Sequence, residues 1–97
     1  MTVIVMETAP EKLRGELTRW MLEAKPGVFV GTLSALVRDK LWKKICGEIP
    51  VIPALLVYTA SNEQGFQFEM NGDPRRRVIE MEGLQFIKVV DTETHKP

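Results

Sequence analysis

The chain has 97 residues, of which 44% are hydrophobic and 27% are charged, so we expect one folded domain and exclude a disordered chain. Thirteen basic residues balance thirteen acidic ones, and this net charge of zero argues against a stand-alone nucleic-acid-binding domain. The single cysteine excludes an internal disulfide and a multi-cysteine zinc site. We see neither a membrane-spanning run nor a signal peptide, and therefore expect a cytoplasmic protein.

The N-terminal quarter of the chain predicts a strand followed by a helix. Residues 2–6 are rich in β-branched side chains, which is typical of a short buried strand. Thr8 and Glu11 have the spacing of a capping box, so we expect the helix to start there and to continue to about Lys25. Its buried face would consist of apolar residues at helical spacing, namely Leu13, Leu17, Trp20, Met21 and Ala24.

A second strand and a second helix are predicted next. Residues 28–31 form the strand, and Thr32 or Ser34 can cap a helix over roughly 35–47. The helix has one apolar stripe and one strongly basic face. The stripe consists of Val37, Leu41 and Ile45, and the basic face carries Arg38, Lys40, Lys43 and Lys44.

The remaining sequence predicts strands separated by turns. The expected strands cover residues 52–59, 66–70, 78–81 and 84–90, and a flexible polar tail follows over 91–97. Residues 1–90 then form a single domain with the order β-α-β-α-β-β plus C-terminal strand. Two amphipathic helices on one face of a small sheet give an α+β two-layer sandwich of the ferredoxin-like type.

Basic residues are concentrated in two segments of this neutral chain. Residues 12–44 carry eight Lys and Arg against three acidic residues, and residues 72–78 carry three arginines against one aspartate. The three arginines, Arg75, Arg76 and Arg77, follow a Gly-Asp-Pro turn that should expose them, and we call them the arginine triplet. The guanidinium fork suits phosphate groups, and because no aromatic residue is interleaved, contacts to a duplex backbone are favoured over base stacking.

Two further cations, Lys12 and Arg14, would lie in the first turns of the first helix, beside its backbone N–H donors. The neighbouring Gly15 would let a phosphate backbone approach closely. The sequence therefore indicates phosphate contacts at this helix as well as at the arginine triplet.

Glu7 is the candidate catalytic and metal-ligating residue, because it follows the first strand at a point where side chains project from the strand end. Its alternative role is to stabilise the positive end of the first helix. One carboxylate is too few to hold Mg²⁺ productively, so a metal site would require two copies of Glu7 facing each other across a dimer axis.

The residues alone leave three functions open. The first is a scaffold that grips nucleic-acid phosphates, and the second is a Mg²⁺-dependent nuclease that uses paired Glu7 carboxylates. The third is a dimeric regulatory domain that binds a small molecule, although the sequence lacks a glycine-rich ligand loop. The third function would leave Arg75 and Arg76 dispensable.

Several spaced elements together resemble one small family. They are the strand ending at Glu7, residues 13–17, 20–23, 27–31 and 34–35, Arg38, residues 41–42, Thr59, Asn62, residues 65–66 and the Arg75-Arg76 pair. Over residues 3–90 the chain resembles the Cas-two family of CRISPR-associated proteins, in its type I-E branch.

The resemblance implies a homodimeric ferredoxin-like protein that takes part in antiviral defence through spacer acquisition. In that family the dimer bridges two dimers of the CRISPR integrase (Cas-one) and holds double-stranded prespacer DNA by its phosphates. The family's two basic pairs fall on Lys12 and Arg14 and on Arg75 and Arg76, and with Arg38 and Arg77 these are the candidate DNA-binding residues. Leu36 stands where this branch can carry a lysine, and Arg38 or Lys40 is the candidate replacement.

The resemblance also bears on Glu7. Many family members have an aspartate at this position and are metal-dependent endonucleases that act on DNA or RNA, whereas glutamate is usual in this branch, where its role looks structural. The resemblance therefore favours a non-catalytic scaffold that requires no cofactor. A Mg²⁺-dependent endonuclease with Glu7 as its metal ligand is the alternative.

Overall fold

Residues 1–73 and 75–89, which the computed structural model describes, form seven strands and two helices. In chain order these are β1 (Thr2–Met6), α1 (Glu11–Leu17), β2 (Leu22–Lys25), β3 (Val28–Gly31), α2 (Ala35–Cys46), β4 (Ala54–Thr59), β5 (Phe66–Asn71), β6 (Arg76–Met81) and β7 (Leu84–Val89). The expected domain end at position 90 and the expected tail over 91–97 lie outside the described residues.

The sheet confirms the predicted α+β class. β1 to β5 form one antiparallel sheet in the order β2-β3-β1-β4-β5, while β6 and β7 form a separate two-stranded hairpin. With α1 after β1 and α2 after β3, the first four strands have the connections and the order of a ferredoxin-like fold. β5 adds one more strand at the edge beside β4.

The first helix is much shorter than the sequence predicts, and an extra strand follows it. α1 ends at Leu17, and residues 22–25 form β2, which pairs with β3 through Leu22 and Val30. Trp20, expected on the buried helix face, is 53% exposed. The prediction was wrong because pairing with β3 satisfies the backbone of residues 22–25, and such pairing outweighs a helical spacing of apolar residues.

The predicted capping box is also absent from α1. The helix begins at Glu11 with Pro10 before it, and no side chain caps its N-terminus. Thr8 therefore lies too far upstream to act as the cap, and Glu11 is the first helical residue rather than the third. The second helix follows its prediction closely, since the Val37 N–H donates to the Ser34 hydroxyl at 3.2 Å and the helix ends before Gly47.

The core lies between the two helices and one face of the sheet. In β1 the side chains of Ile4 and Met6 are buried and Val5 is only half-buried, which is the alternation expected of a strand with one covered face. The buried core residues are Ile4, Met6, Leu13, Leu17, Met21, Phe29, Leu41, Ile45, Ile52, Ala54 and Leu56. The predicted stripe of α2 is thus confirmed.

The opposite face of the sheet is also apolar, and neither described helix packs on it. Strand register places Val5 opposite both Val28 and Leu55, and Leu55 opposite Met70, so these side chains share that face. We call it the open face, and its half-buried residues are Val3, Val5, Val28, Val30, Leu55, Val57, Phe68 and Met70.

Two glutamines hold the β6–β7 hairpin against β5. The Gln85 N–H donates to Gln64 Oε1 at 2.9 Å, and Gln64 Nε2 donates to the Gln85 carbonyl at 2.7 Å. Gln85 Oε1 in turn accepts from the Phe68 N–H of β5 at 2.7 Å. This contact fixes where the hairpin, and hence the start of β6, lies relative to the main sheet.

Candidate nucleic-acid interface

The strand register brings several loops together at one end of the sheet. β1 ends at Met6, which lies opposite Ala54 at the start of β4, and Ala54 lies opposite Asn71 at the end of β5. The Glu7 N–H donates to the Pro53 carbonyl at 3.3 Å. We call this region the Glu7 end of the sheet.

At the Glu7 end, a surface groove contains both the candidate acid and two members of the arginine triplet. Glu7, Asp73, Arg75 and Arg76 line it together with apolar residues of the open face, including Val5. Glu7 and both arginines are exposed. Residues far apart in the sequence thus share one groove, which the sequence alone did not predict.

The arginine triplet spans the last residue of the turn before β6 and the first two residues of β6. The Arg75 N–H donates to Asp73 Oδ1 at 2.9 Å, a local contact typical of an aspartate-led turn. Arg76 and Arg77 begin β6, and Arg77 lines a second recess beside Phe68. All three arginines are exposed, as predicted, and none forms an ion pair with another residue of 1–73 or 75–89.

The cations of α1 lie at the Glu7 end as well. α1 begins there, Lys12 is exposed, and Arg14 Nε lies 3.2 Å from Glu23 Oε2 of β2. Arg14 and Lys25 line the same shallow groove. Sequence reasoning missed Lys25 as a candidate because it placed this residue at the end of a helix; the Pro26-Gly27 turn after it was the available signal.

Arg38 lies at the other end of the sheet. Its guanidinium carbon is 3.8 Å from the centre of the Tyr58 ring, and Tyr58 pairs with Thr2 at the start of β1. Arg38 Nε also donates to Asp39 Oδ1 at 3.3 Å. The length of β1, roughly 15 Å, therefore separates Arg38 from the other candidate cations of the same protomer. Leu36, in the first turn of the same helix, is 68% exposed.

Two titratable groups outside this surface have perturbed pKa values. The Lys44 ammonium donates to the Glu16 carboxylate and holds the pKa of Glu16 below its usual range. Burial raises the pKa of the Cys46 thiol, and the nearby charge of Glu69 acts in the same direction. Lys44 is thus engaged with α1 and is a weaker candidate for phosphate contacts than Lys12.

Within residues 1–73 and 75–89, the carboxylate, imidazole and thiol groups form no cluster of three or more that could hold a metal ion. Glu7 and Asp73 are the two described carboxylates that line the groove, which is fewer than such a cluster needs. Neither of the two described helices is long and apolar enough to cross a membrane.

A comparison with protein-family models gives the chain its family. The model described as CRISPR-associated protein (Cas_Cas2CT1978) matches residues 1–86. This match spans the whole five-stranded sheet and both groups of cations at the Glu7 end. The chain therefore belongs to the Cas2 (Cas-two) family of CRISPR-associated proteins.

Proposed function

We propose that this protein is a dimeric, cytoplasmic, non-catalytic scaffold of a type I-E CRISPR adaptation complex. It bridges dimers of the CRISPR integrase and holds the prespacer duplex by its phosphates. Membership of the family supports a CRISPR-associated role. The observation that carries the DNA-holding role is the gathering of Lys12, Arg14, Arg75 and Arg76 at one end of the sheet.

The exposure of three of these cations and their lack of ion pairs with the described residues favour phosphate contacts over base recognition. Lys12, Arg75 and Arg76 are exposed and make no ion pair with the described residues, so their charges are free to attract phosphates. Among the described residues, no aromatic side chain lines the groove that holds both Arg75 and Arg76, while Phe68 lines the neighbouring recess. Backbone contacts of this kind position a duplex without reading its sequence.

The open face supports a dimer. A sheet with one face on the core and the other made of Val, Leu, Phe and Met leaves apolar area that association would remove from water. The occupant we propose is a second copy of this chain. A two-fold axis would then double the four principal cations to eight.

Arg77 and Arg38 have secondary roles in this proposal. Arg77 follows Arg76 in β6 and lines the neighbouring recess, to which Arg76 also contributes. Arg38, at the other end of the sheet, would contact a different stretch of the duplex, or the DNA beside the partner protomer. Its stacking on Tyr58 restrains the guanidinium there.

The salt dependence of DNA binding tests this proposal. If eight cations contact phosphates, the affinity of the assembled complex for duplex DNA falls with a log–log slope of roughly −7 in salt concentration. Changing both Arg75 and Arg76 to Ala removes four contacts from the dimer and should reduce the slope to roughly −4.

Arg19→Ala is the matched control, since this arginine is exposed and lies beyond the C-terminal end of α1, away from the Glu7 end. We expect its slope to equal that of the wild type. A flat salt response of the wild-type complex, or an unchanged slope in the Arg75/Arg76 variant, would contradict the proposal.

One observation favours the nuclease alternative. Glu7 lines a groove together with Val5 and Leu55, so its side chain lies on the side of the open face, where a second copy would bring another Glu7. Paired carboxylates could then hold Mg²⁺, with Glu7 as the metal ligand and catalytic residue.

Incubation of the chain with duplex DNA or single-stranded RNA and Mg²⁺ tests this alternative. It predicts cleavage that stops on chelation and is lost in Glu7→Gln but kept in Glu11→Gln, an exposed acid four residues away. Cleavage that persists in purified Glu7→Gln protein would remove it.

A further inference from the structure

Through one carboxylate oxygen, Glu23 of β2 contacts both Arg14 of α1 and Gly27 in the turn before β3. Its Oε2 lies 3.2 Å from Arg14 Nε of α1 and accepts a hydrogen bond from the Gly27 N–H at 3.0 Å. The Gly27 carbonyl in turn accepts from the Met6 N–H of β1 at 2.8 Å. The carboxylate that contacts Arg14 is therefore also held by backbone groups that connect it to the main sheet.

The burial of the pair shows which part of Arg14 faces solvent. Arg14 Nε is buried, although 42% of the arginine side chain is exposed, and only 22% of the Glu23 side chain is exposed. The carboxylate thus lies on the inner side of the guanidinium. The Nε–H does not point straight at a hydrogen-bond acceptor among the described residues, so charge attraction holds the contact.

We infer that Glu23 is a positioning residue for Arg14. It would hold the inner edge of the guanidinium and leave the outer nitrogens toward the groove that Arg14, Glu23 and Lys25 line. This inference rests on the proposed DNA-holding function. A guanidinium held in one orientation loses less side-chain freedom when it binds a phosphate through two nitrogens than a freely rotating one would.

Simple electrostatics and a positioning role for Glu23 predict opposite effects of removing this acid. Glu23 is an acid beside a surface proposed to bind phosphates, so removing its charge should tighten DNA binding if charge alone mattered. If Glu23 positions Arg14, removing it should weaken DNA binding instead.

The test measures the affinity of fluorescein-labelled duplex DNA for the chain assembled with its integrase, at one fixed salt concentration. We expect Glu23→Ala to weaken binding by roughly 3- to 10-fold, close to the loss in Arg14→Ala, since both remove the same oriented contact. The double variant should lose no more than Arg14→Ala alone. Glu16→Ala, which breaks the α1 ion pair with Lys44, is the matched control and should bind DNA at least as tightly as wild type.

Glu23→Gln keeps an acceptor for the Gly27 N–H, and it replaces Glu23→Ala in the assay if that variant does not fold. It should bind more weakly than wild type but more tightly than Arg14→Ala. The Nε–H signal of Arg14 in a proton–nitrogen NMR spectrum of the free chain supplies a readout without DNA. It should shift in Glu23→Gln, and it is assigned by its loss in Arg14→Ala.

The outcomes separate this inference from the function on which it rests. Loss of binding in Arg14→Ala with unchanged or tighter binding in the Glu23 variants would overturn the positioning role and leave the scaffold proposal intact. An unmoved Arg14 Nε–H signal would overturn it too. If Arg14→Ala binds like wild type, the Arg14 contact and this inference are both wrong. If the wild-type complex does not bind duplex DNA, the proposed function fails and this inference fails with it.

Discussion

At the scale of single residues, Gly27 makes the closest approach to its neighbours among the described glycines. Its φ of 82° lies in the left-handed region, and a Cβ atom placed on it would lie 2.3 Å from the Met6 carbonyl oxygen. The Met6 N–H also bonds to the Gly27 carbonyl, so neither backbone can easily move away. A Pro-Gly pair is a typical turn signal, but the close approach of Gly27 to β1 depends on the tertiary fold.

Gly27→Ala should lower the free energy of unfolding by roughly 3 kcal/mol or more, because backbone strain adds to a steric clash. Gly65→Ala is the matched control, since Gly65 has a similar φ of 88° but no atom within 4 Å of the added Cβ. There we expect a loss of only about 1 kcal/mol. Urea denaturation of the two variants measures the difference, and equal losses would contradict the contact at Gly27.

At the scale of secondary-structure elements, the two helices show what local patterns can predict. For α2 the cap at Ser34, the apolar stripe and the terminal Gly47 all agree, and the prediction was confirmed. For α1 the helical spacing continued past Leu17, but the helix ends there and residues 22–25 pair with β3 as a strand. The same error hid the Glu23–Arg14 contact, because a helix through residue 25 places Glu23 on a wet helix face rather than beside Gly27.

Ser34→Ala should lower the free energy of unfolding by about 1 kcal/mol, because it removes the oxygen that accepts from the Val37 N–H. The sequence left Thr32 and Ser34 as alternative caps, so Thr32→Ala is the control and should change stability by no more than about 0.5 kcal/mol. Thermal unfolding of both variants decides between them. A larger loss in Thr32→Ala would show that the cap is assigned to the wrong residue.

At the scale of the whole molecule, the zero net charge hides an uneven distribution. Lys12 and Arg14 of α1 lie at the same end of the sheet as Arg75 and Arg76, with Arg14 in a separate groove, and the open face beside the arginines of the triplet is apolar. The sequence predicted both groups of cations. It could not predict that both groups lie at one end of the sheet, because that depends on the register that pairs Met6 with Ala54 and Ala54 with Asn71. A neutral protomer with a local basic surface suits a subunit that holds DNA inside a larger complex.

Val57→Asp should convert the proposed dimer into a monomer, because it places a charge in the middle of the open face. Leu36→Asp is the matched control, since Leu36 is exposed on α2, away from that face, and its variant should remain dimeric. Sedimentation velocity measures the mass of each, and circular dichroism checks that both fold. A wild-type monomer, or a Val57→Asp dimer, would contradict the assignment of the open face.

Spacer acquisition in cells that carry the integrase and a repeat array tests the central claim most directly. A scaffold that grips DNA by its phosphates needs Arg75 and Arg76 and does not need the Glu7 carboxylate. We therefore predict that acquisition is lost when both arginines are changed to Ala and continues in Glu7→Ala. Acquisition that survives the arginine change but fails in Glu7→Ala would contradict the account and favour the metal-dependent nuclease.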